Sequence, residues 1–521
     1  MGIGISRRRF LRALGAGAFL TLMGGCGSSK HAPKLGSLRT PKASPLRASK
    51  VWPLPGVSPV RPKGVWAFSS RPDLAPAAAE VTGDVSGTGP GYVFLALKEG
   101  VGEHGPMILD DRGRLVWFEK YVTARDFKVQ RYRGRPVLTW WEGSVVAGHG
   151  VGDYAIFDDS YREITRVHAG NDRSGDLHEF LITPRDTALL TSYAAVPADL
   201  SPVGGAEDGA AWDSIVQELD IETGKVLFEW HSLDHVDVEE SYVYPPRDPD
   251  LIYDYFHVNC IDVEHDDNLL ISARNTSAVY KIDHGSGEIL WRLGGRRSSF
   301  EMGEGTRTFW QHDARRQPDD TITIFDNGAH PRVHLQSRAI RLRLDQEAMK
   351  ATLVREYTHP DGLVSTSQGN MQVLPNGNVL VGWGSEPFVS EFSGDGELLM
   401  DAGFPPECES YRAFRFSWTG HPTDAPALAL GKRSRNKVTL YASWNGATEV
   451  TAWEVLSGPH PDRLEPLGSV PRNGFETPML AQTSDPYVAV RARDSSGETL
   501  GTSAPRARRQ ASPGASSARS G

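Results

Sequence analysis

The sequence predicts an all-β protein, a six-bladed β-propeller followed by a small β-sandwich. Three observations carry that expectation. Short apolar strands separated by turns recur from about Gly91 to Gly403 in units of roughly 45 to 55 residues, several ending in tryptophan. The 521 residues include 54 glycines and 35 prolines, enough for many tight turns. Beyond Pro422 the pattern changes to apolar–polar alternation, as strands of a two-sheet sandwich require.

Residues 1–26 read as a twin-arginine lipoprotein signal peptide. Ser6-Arg7-Arg8-Arg9-Phe10-Leu11-Arg12 carries the paired arginines, and the apolar run Ala13 to Met23 follows. That run falls short of the roughly 20 apolar residues a spanning helix needs. It ends in Met23-Gly24-Gly25-Cys26-Gly27, a lipoprotein cleavage box with Cys26 as the lipidated residue and Met where leucine is usual. The expected location is the extracytoplasmic face of the cell membrane, held there by lipid at Cys26. Residues 27–90 are rich in Pro, Ala, Ser and Lys and read as a tether and entry segment.

The predicted propeller spans 91–421. Phe94 to Leu97 leads to Met107 to Asp110, a turn at Arg112-Gly113, and Leu115-Val116-Trp117. The middle copies are clearest: Ile215 to Asp220, a turn at Glu222 to Gly224 and Val226 to Trp230 parallel Ala278 to Asp283, Ser286-Gly287 and Ile289 to Trp291. A last copy runs from Met371 to Phe392. Units counted from Gly91, Arg135, Leu177, Phe256, Phe309 and Gly369 give about six blades, with a polar insertion around Val196 to Ala211. Trp117, Trp230 and Trp291 are expected to wedge between blades. Residues 437–504 resemble a fibronectin type III or immunoglobulin-like module that would contact cell wall or protein, and 505–521 read as a disordered tail.

Composition narrows the function. A net charge of −9 with no basic stripe excludes nucleic acid as a partner. Of the cysteines, Cys260 and Cys408 remain once Cys26 is set aside; separate buried thiols are the preferred reading, with a bridge between them left open. No Cys/His spacing fits a zinc site, so neither metal nor organic cofactor is expected.

Polar residues recur at the starts of successive units. Asp176-Leu177-His178-Glu179 opens the third, His257-Val258-Asn259 the fourth, with Arg274 further on, and Gln311-His312-Asp313-Ala314-Arg315 the fifth. Leading strands of a propeller line its axis, so these side chains would face one cavity. His257 and Asn259, at spacing two, would point the same way. The other histidines read mostly as surface or rim, except that Gly148-His149-Gly150 could also sit at the channel mouth.

Over roughly residues 90–400 this pattern resembles the bacterial aryl-sulfate sulfotransferases, which move a sulfuryl group between phenols through a histidine. The resemblance implies that His312 carries the sulfuryl group. His257, Asn259 and Arg274 would surround the sulfate oxygens, and His178 would protonate the leaving phenolate or deprotonate the acceptor. Asp326-Asn327-Gly328, typical of the family's shorter group, would shape the rim. An aryl sulfate donor and a phenolic acceptor follow, with no nucleotide sulfate donor, because no phosphate-cradling loop is present. Two alternatives stand beside it. One is a non-catalytic, surface-anchored binding scaffold. The other is a quinoprotein-like dehydrogenase, suggested by Asp220 to Trp230 but opposed by the missing adjacent cysteines and the blade count.

Overall fold

The computed structural model describes residues 49–55, 60–61, 64–248 and 251–508. The expected signal peptide, Cys26, the first part of the tether and the tail from 509 lie outside the described residues. Among the described residues no helix is long and apolar enough to cross a membrane.

The chain is all-β and mostly antiparallel. Six sheets follow one another, each built on four strands. The second holds Arg125–Tyr132, Arg135–Val146, His149–Phe157 and Glu163–Val167, and the third Phe180–Ile182, Thr187–Ala198, Gly209–Asp220 and Val226–His231. The fourth holds Val258–Val263, Leu269–Ala273, Ala278–Ile282 and Ile289–Gly294, and the fifth His312–Arg316, Thr321–Asp326, Arg338–Asp345 and Lys350–Thr358. The sixth holds Asn370–Val373, Val379–Gly382, Phe388–Phe392 and Leu398–Gly403. The first is completed from far along the chain: Ser410–Phe416 pairs with Tyr92–Leu97, ahead of Gly105–Leu109 and Leu115–Phe118.

Unit boundaries therefore differ from those expected at Gly91 and Arg135. The first sheet takes its leading strand from Ser410–Phe416, and the second begins at Arg125. Arg125–Tyr132 alternates polar and apolar residues weakly, which hid it. Short pieces of the expected tether are also strands. Glu80–Thr82 edges the sixth sheet beside Leu398–Gly403, and Val51–Pro53 pairs with Glu476–Ala481.

Inner strands such as Leu269–Ala273 and Ala278–Ile282 are buried at every position, because apolar clusters pack against both faces of their sheet. An apolar cluster fills each gap between successive sheets, including the gap between sixth and first, where Leu380, Val389 and Met400 meet Val93, Leu95 and Met107. The wedge tryptophans do what the sequence suggests. Trp117 packs with Phe127 and Trp140 of the second sheet, Trp230 Nε1 donates to the Gly287 carbonyl at 3.0 Å, and Trp291 lies among Ala314 and Ile322. Cys260 and Cys408 are separate buried thiols.

Residues after Ala427 form two further sheets around Val438, Leu440, Trp453, Val455, Val488 and Val490. The start of the expected disordered tail is ordered instead: Arg506–Ala507 pairs with Tyr487 and Val488. Asn445 anchors this part to the first sheet, accepting from the Phe118 N–H at 3.0 Å and donating to the Phe118 carbonyl at 2.9 Å.

Candidate active site

The leading strands do not run as plain pleats. Register shifts interrupt Arg125/Lys128, Val258/Cys260, His312/Arg315 and Ser410/Ala413, and Asp126, His257, Asp313 and Gln368 adopt left-handed backbone angles. Such bulges re-aim side chains, which is how neighbours in sequence come to serve two different clusters. His178, His312 and Tyr411 join a histidine cluster. Glu179, Asp313 and Arg412, the next residues in each case, join a buried ionic cluster.

The ionic cluster ties all six sheets together. Lys128 bonds Asp126 at 2.7 Å and Glu179 at 2.8 Å. Arg412 reaches Asp126 at 3.0 Å, Glu179 at 3.2 Å, Asp313 at 3.3 Å and the Asn259 carbonyl at 2.9 Å. Arg315 pairs with Glu179 and Asp313 and donates to the Ile261 carbonyl at 2.7 Å. Asp313 also accepts from the Met371 N–H at 3.2 Å, bringing in the sixth sheet. Burial opposes the charge on Glu179, but Arg315, Arg412 and Lys128 more than offset it and hold its pKa well below the carboxylate range.

In the histidine cluster, His312 has both ring nitrogens defined. Nδ1 lies 2.8 Å from Asn327 Oδ1 and 3.1 Å from the Trp310 carbonyl, two acceptors, so Nδ1 carries the hydrogen. Asn327 cannot turn its amide round, because Nδ2 donates to the carbonyls of Ser365 at 3.1 Å and Gln368 at 3.0 Å. Nε2 of His312 therefore carries the lone pair, and it accepts from the Gln368 N–H at 3.2 Å. Burial first, then the charge of Arg274, holds the ring's pKa well below its ordinary value, so it is neutral. Asn327, expected at the rim, is fully buried against His312. It sits at the end of Thr321–Asp326, and no spacing rule marks it.

Arg274 has its guanidinium 3.7 Å above the Trp310 ring. Burial lowers its pKa, and Nε is buried with no partner. No carboxylate pairs with it among the described residues, so it is a stacked cation with donors to spare.

Two carboxylate–histidine pairs stand alongside. Asp176 Oδ1 lies 2.5 Å from His178 Nδ1, and Asp254 Oδ2 lies 2.5 Å from His257 Nδ1. The two rings meet edge to face with centroids 4.9 Å apart. Burial outweighs the attraction of Asp254 and, helped by Arg274, draws the His257 pKa down to about 4. Its proton stays on Nδ1 against Asp254, leaving Nε2 bare. Burial opposes the charge of Asp254, yet His257 and His149 hold its pKa well below the usual range.

Asn259 is fully buried, and its Nδ2 donates to the Gln311 carbonyl at 2.7 Å. One amide N–H therefore remains for a ligand. The even-spacing argument for His257 and Asn259 does not hold, since His257 is left-handed (φ 60°) and a bulge separates Val258 from Cys260.

His149, expected at the surface, the rim or the channel mouth, is buried with its ring 5.4 Å from His257 and 4.2 Å from Tyr193. It follows the tight turn Ala147-Gly148, both residues left-handed, between two long strands of the second sheet. Gly150 lets that hairpin close onto the Asp176 loop. A Cβ there would lie 2.5 Å from the Leu177 nitrogen, while the Gly150 N–H donates to Asp176 Oδ2 at 2.5 Å.

The arylsulfotransferase (ASST) family model matches residues 128–405, just over half the chain and the span that supplies all of these side chains except Asp126, Tyr411 and Arg412. The chain belongs to the arylsulfotransferase family. No curated protein matches it. Solved structures resemble this arylsulfotransferase-family chain only distantly. A protein of unknown function from Bacteroides caccae is 12% identical with a TM-score of 0.38, over 62% of this chain and 98% of that one. Virginiamycin B lyase from Staphylococcus aureus is 8% identical with a TM-score of 0.32, over 77% and 99%. A luciferin-regenerating enzyme is 9% identical with a TM-score of 0.34, over 71% and 97%.

Proposed function

We propose that the chain is an arylsulfotransferase that passes a sulfuryl group from an aryl sulfate ester to a phenol through a sulfohistidine at His312. The six sheets are read as the blades of a closed propeller whose axis holds the site. The observation that carries the reading is the lone pair on Nε2 of a neutral, fixed His312 in the field of the unpaired Arg274.

In the first half-reaction the Nε2 lone pair forms a bond to sulfur as the S–O(aryl) bond breaks, its electrons leaving on the phenolate oxygen. Arg274, the Gln368 N–H and the remaining N–H of Asn259 supply donors for the sulfonate oxygens. Because Nδ1 keeps its hydrogen against Asn327, the ring becomes an imidazolium when Nε2 is sulfated, and as such is a good leaving group. In the second half-reaction an acceptor phenol loses its proton to Nε2 of His257 or to His178, and its oxygen bonds sulfur as the N–S bond breaks. The electron pair returns to His312, and the protonated histidine passes its proton to water or to the phenolate released in the next cycle. No nucleotide sulfate enters the cycle.

Export by the twin-arginine route, lipid attachment at Cys26 and a cell-wall or protein contact for the C-terminal sheets belong to the same proposal. They rest on the sequence alone.

The test is turnover of 4-nitrophenyl sulfate by the soluble chain, with and without phenol. Nitrophenol release that requires phenol is expected. Release to water at the same rate without phenol would mean a hydrolase, and no release across a panel of aryl sulfates would favour a binding scaffold.

A further inference from the structure

We propose that His149, Asp254 and His257 form a binding site for one divalent transition-metal ion of the zinc class. One donor atom from each of the three lies within 4.8 Å of the other two. His257 Nδ1 is 2.5 Å from Asp254 Oδ2, and His149 Nε2 is 3.6 Å from Asp254 Oδ1, too far for a hydrogen bond.

A second, independent observation points to a ligand. Both ring nitrogens of His149 and Oδ1 of Asp254 are buried with no hydrogen-bond partner. Buried polar groups left unpaired cost about 1–3 kcal/mol each, and folded proteins rarely tolerate several in one place. A cation between them satisfies His149 Nε2 and Asp254 Oδ1 together. The ring is also held in place: Tyr193 packs at 4.2 Å and Trp212 at 4.8 Å between centroids, and Tyr193 is itself fixed by donating to the Val258 carbonyl at 2.6 Å.

The donor set selects the ion. Two imidazoles and one carboxylate suit Zn²⁺ and its borderline neighbours, whereas Mg²⁺ and Ca²⁺ favour oxygen donors. Three protein ligands leave a coordination position open for water or a substrate oxygen. Ligation through Nδ1 moves the hydrogen of the neutral His257 ring from Nδ1 to Nε2, so the ring stays neutral and Nε2 becomes a donor. The added charge lies near Arg274, whose own charge already acts on His257 and interacts with Asp254. The ion would strengthen the cavity as an anion receptor. The sequence gives little sign of this, since Asp254 and His257 are three apart but His149 lies in a distant hairpin.

The inference does not depend on sulfuryl transfer, and its test reads metal alone. Full-length chain freed of metal by chelation is titrated with Co²⁺, followed by visible absorption, and with Zn²⁺ by calorimetry. Saturation at one equivalent with the strong d–d bands of four- or five-coordinate cobalt is expected. His149→Ala and Asp254→Asn should each weaken Zn²⁺ binding roughly tenfold or more, while exposed His460→Ala leaves it unchanged. Circular dichroism and thermal melting of each variant separate lost ligands from lost fold, and the cobalt spectrum of the unsubstituted chain stands without any variant. Weak six-coordinate absorption, no stoichiometric binding, or binding unchanged in folded His149→Ala would overturn the proposal.

Discussion

Asn327 Oδ1 sits 2.8 Å from Nδ1 of His312, and the carbonyls of Ser365 and Gln368 hold the Asn327 amide so that it presents oxygen, not nitrogen. This one contact leaves the lone pair of His312 on Nε2. In the proposed cycle it also keeps a hydrogen on Nδ1 while Nε2 carries the sulfuryl group.

Replacing Asn327 therefore tests the tautomer directly. Asn327→Asp puts a carboxylate opposite Nδ1, which can take the proton and make the sulfated ring a poorer leaving group. Asn327→Leu removes the acceptor altogether. Both should lower kcat by roughly 10²–10⁴, the range seen when a histidine loses its orienting partner. Steady-state kinetics on folded variants checks this, and a loss confined to KM would contradict it.

Arg274 is the unpaired cation. Arg274→Ala should lower kcat/KM for aryl sulfates by roughly 10²–10³, as removal of a transition-state donor does. Arg274→Lys should recover little of this, because an ammonium cannot stack on Trp310 or fork to two oxygens.

The pH profile follows from the buried rings. Burial holds His257 down to about 4 and His312 well below its ordinary value, so both are neutral at pH 7. The rate should stay level as pH falls through about 6.5, where a free histidine titrates, and drop only near 4. Stability behaves differently. The unfolded chain takes up these protons at about 6.5, so stability is lost progressively as pH falls from there to about 4, by about 3 kcal/mol for His257. Initial rates and chemical denaturation across pH 4–7.5 read the two effects separately.

Much of the fold could be read along the chain because its units are local: strand, turn, strand, then tryptophan at Trp117, Trp230 and Trp291. What escaped depends on long-range pairing of short pieces. Val51 pairs with Ala481 and Ser410 with Leu97, and neither segment announces its partner. The site divides in the same way. His178, His257 and His312 stand out because they open successive units. His149 and Asn327 do not, since one follows a hairpin turn and the other ends a second strand. The left-handed residues of the leading strands also break the two-residue alternation on which side-chain direction is read.

The ionic cluster gives a stability prediction. Arg412 is fully buried and serves Asp126, Glu179, Asp313 and the Asn259 carbonyl. Arg412→Met leaves those carboxylates with a smaller share of positive charge and should destabilise the chain by about 3–5 kcal/mol. Urea denaturation measures it, and a change within experimental error would mean the cluster does not join the six sheets energetically.

The central claim is a covalent bond to His312, and intact mass tests it most directly. Soluble chain incubated with 4-nitrophenyl sulfate and no acceptor should gain one SO₃, roughly 80 Da, located by peptide mapping to His312. The gain should be absent in His312→Ala and discharged on adding phenol. Phenol-dependent turnover with no adduct on rapid quenching, or an adduct on another residue, would contradict the account.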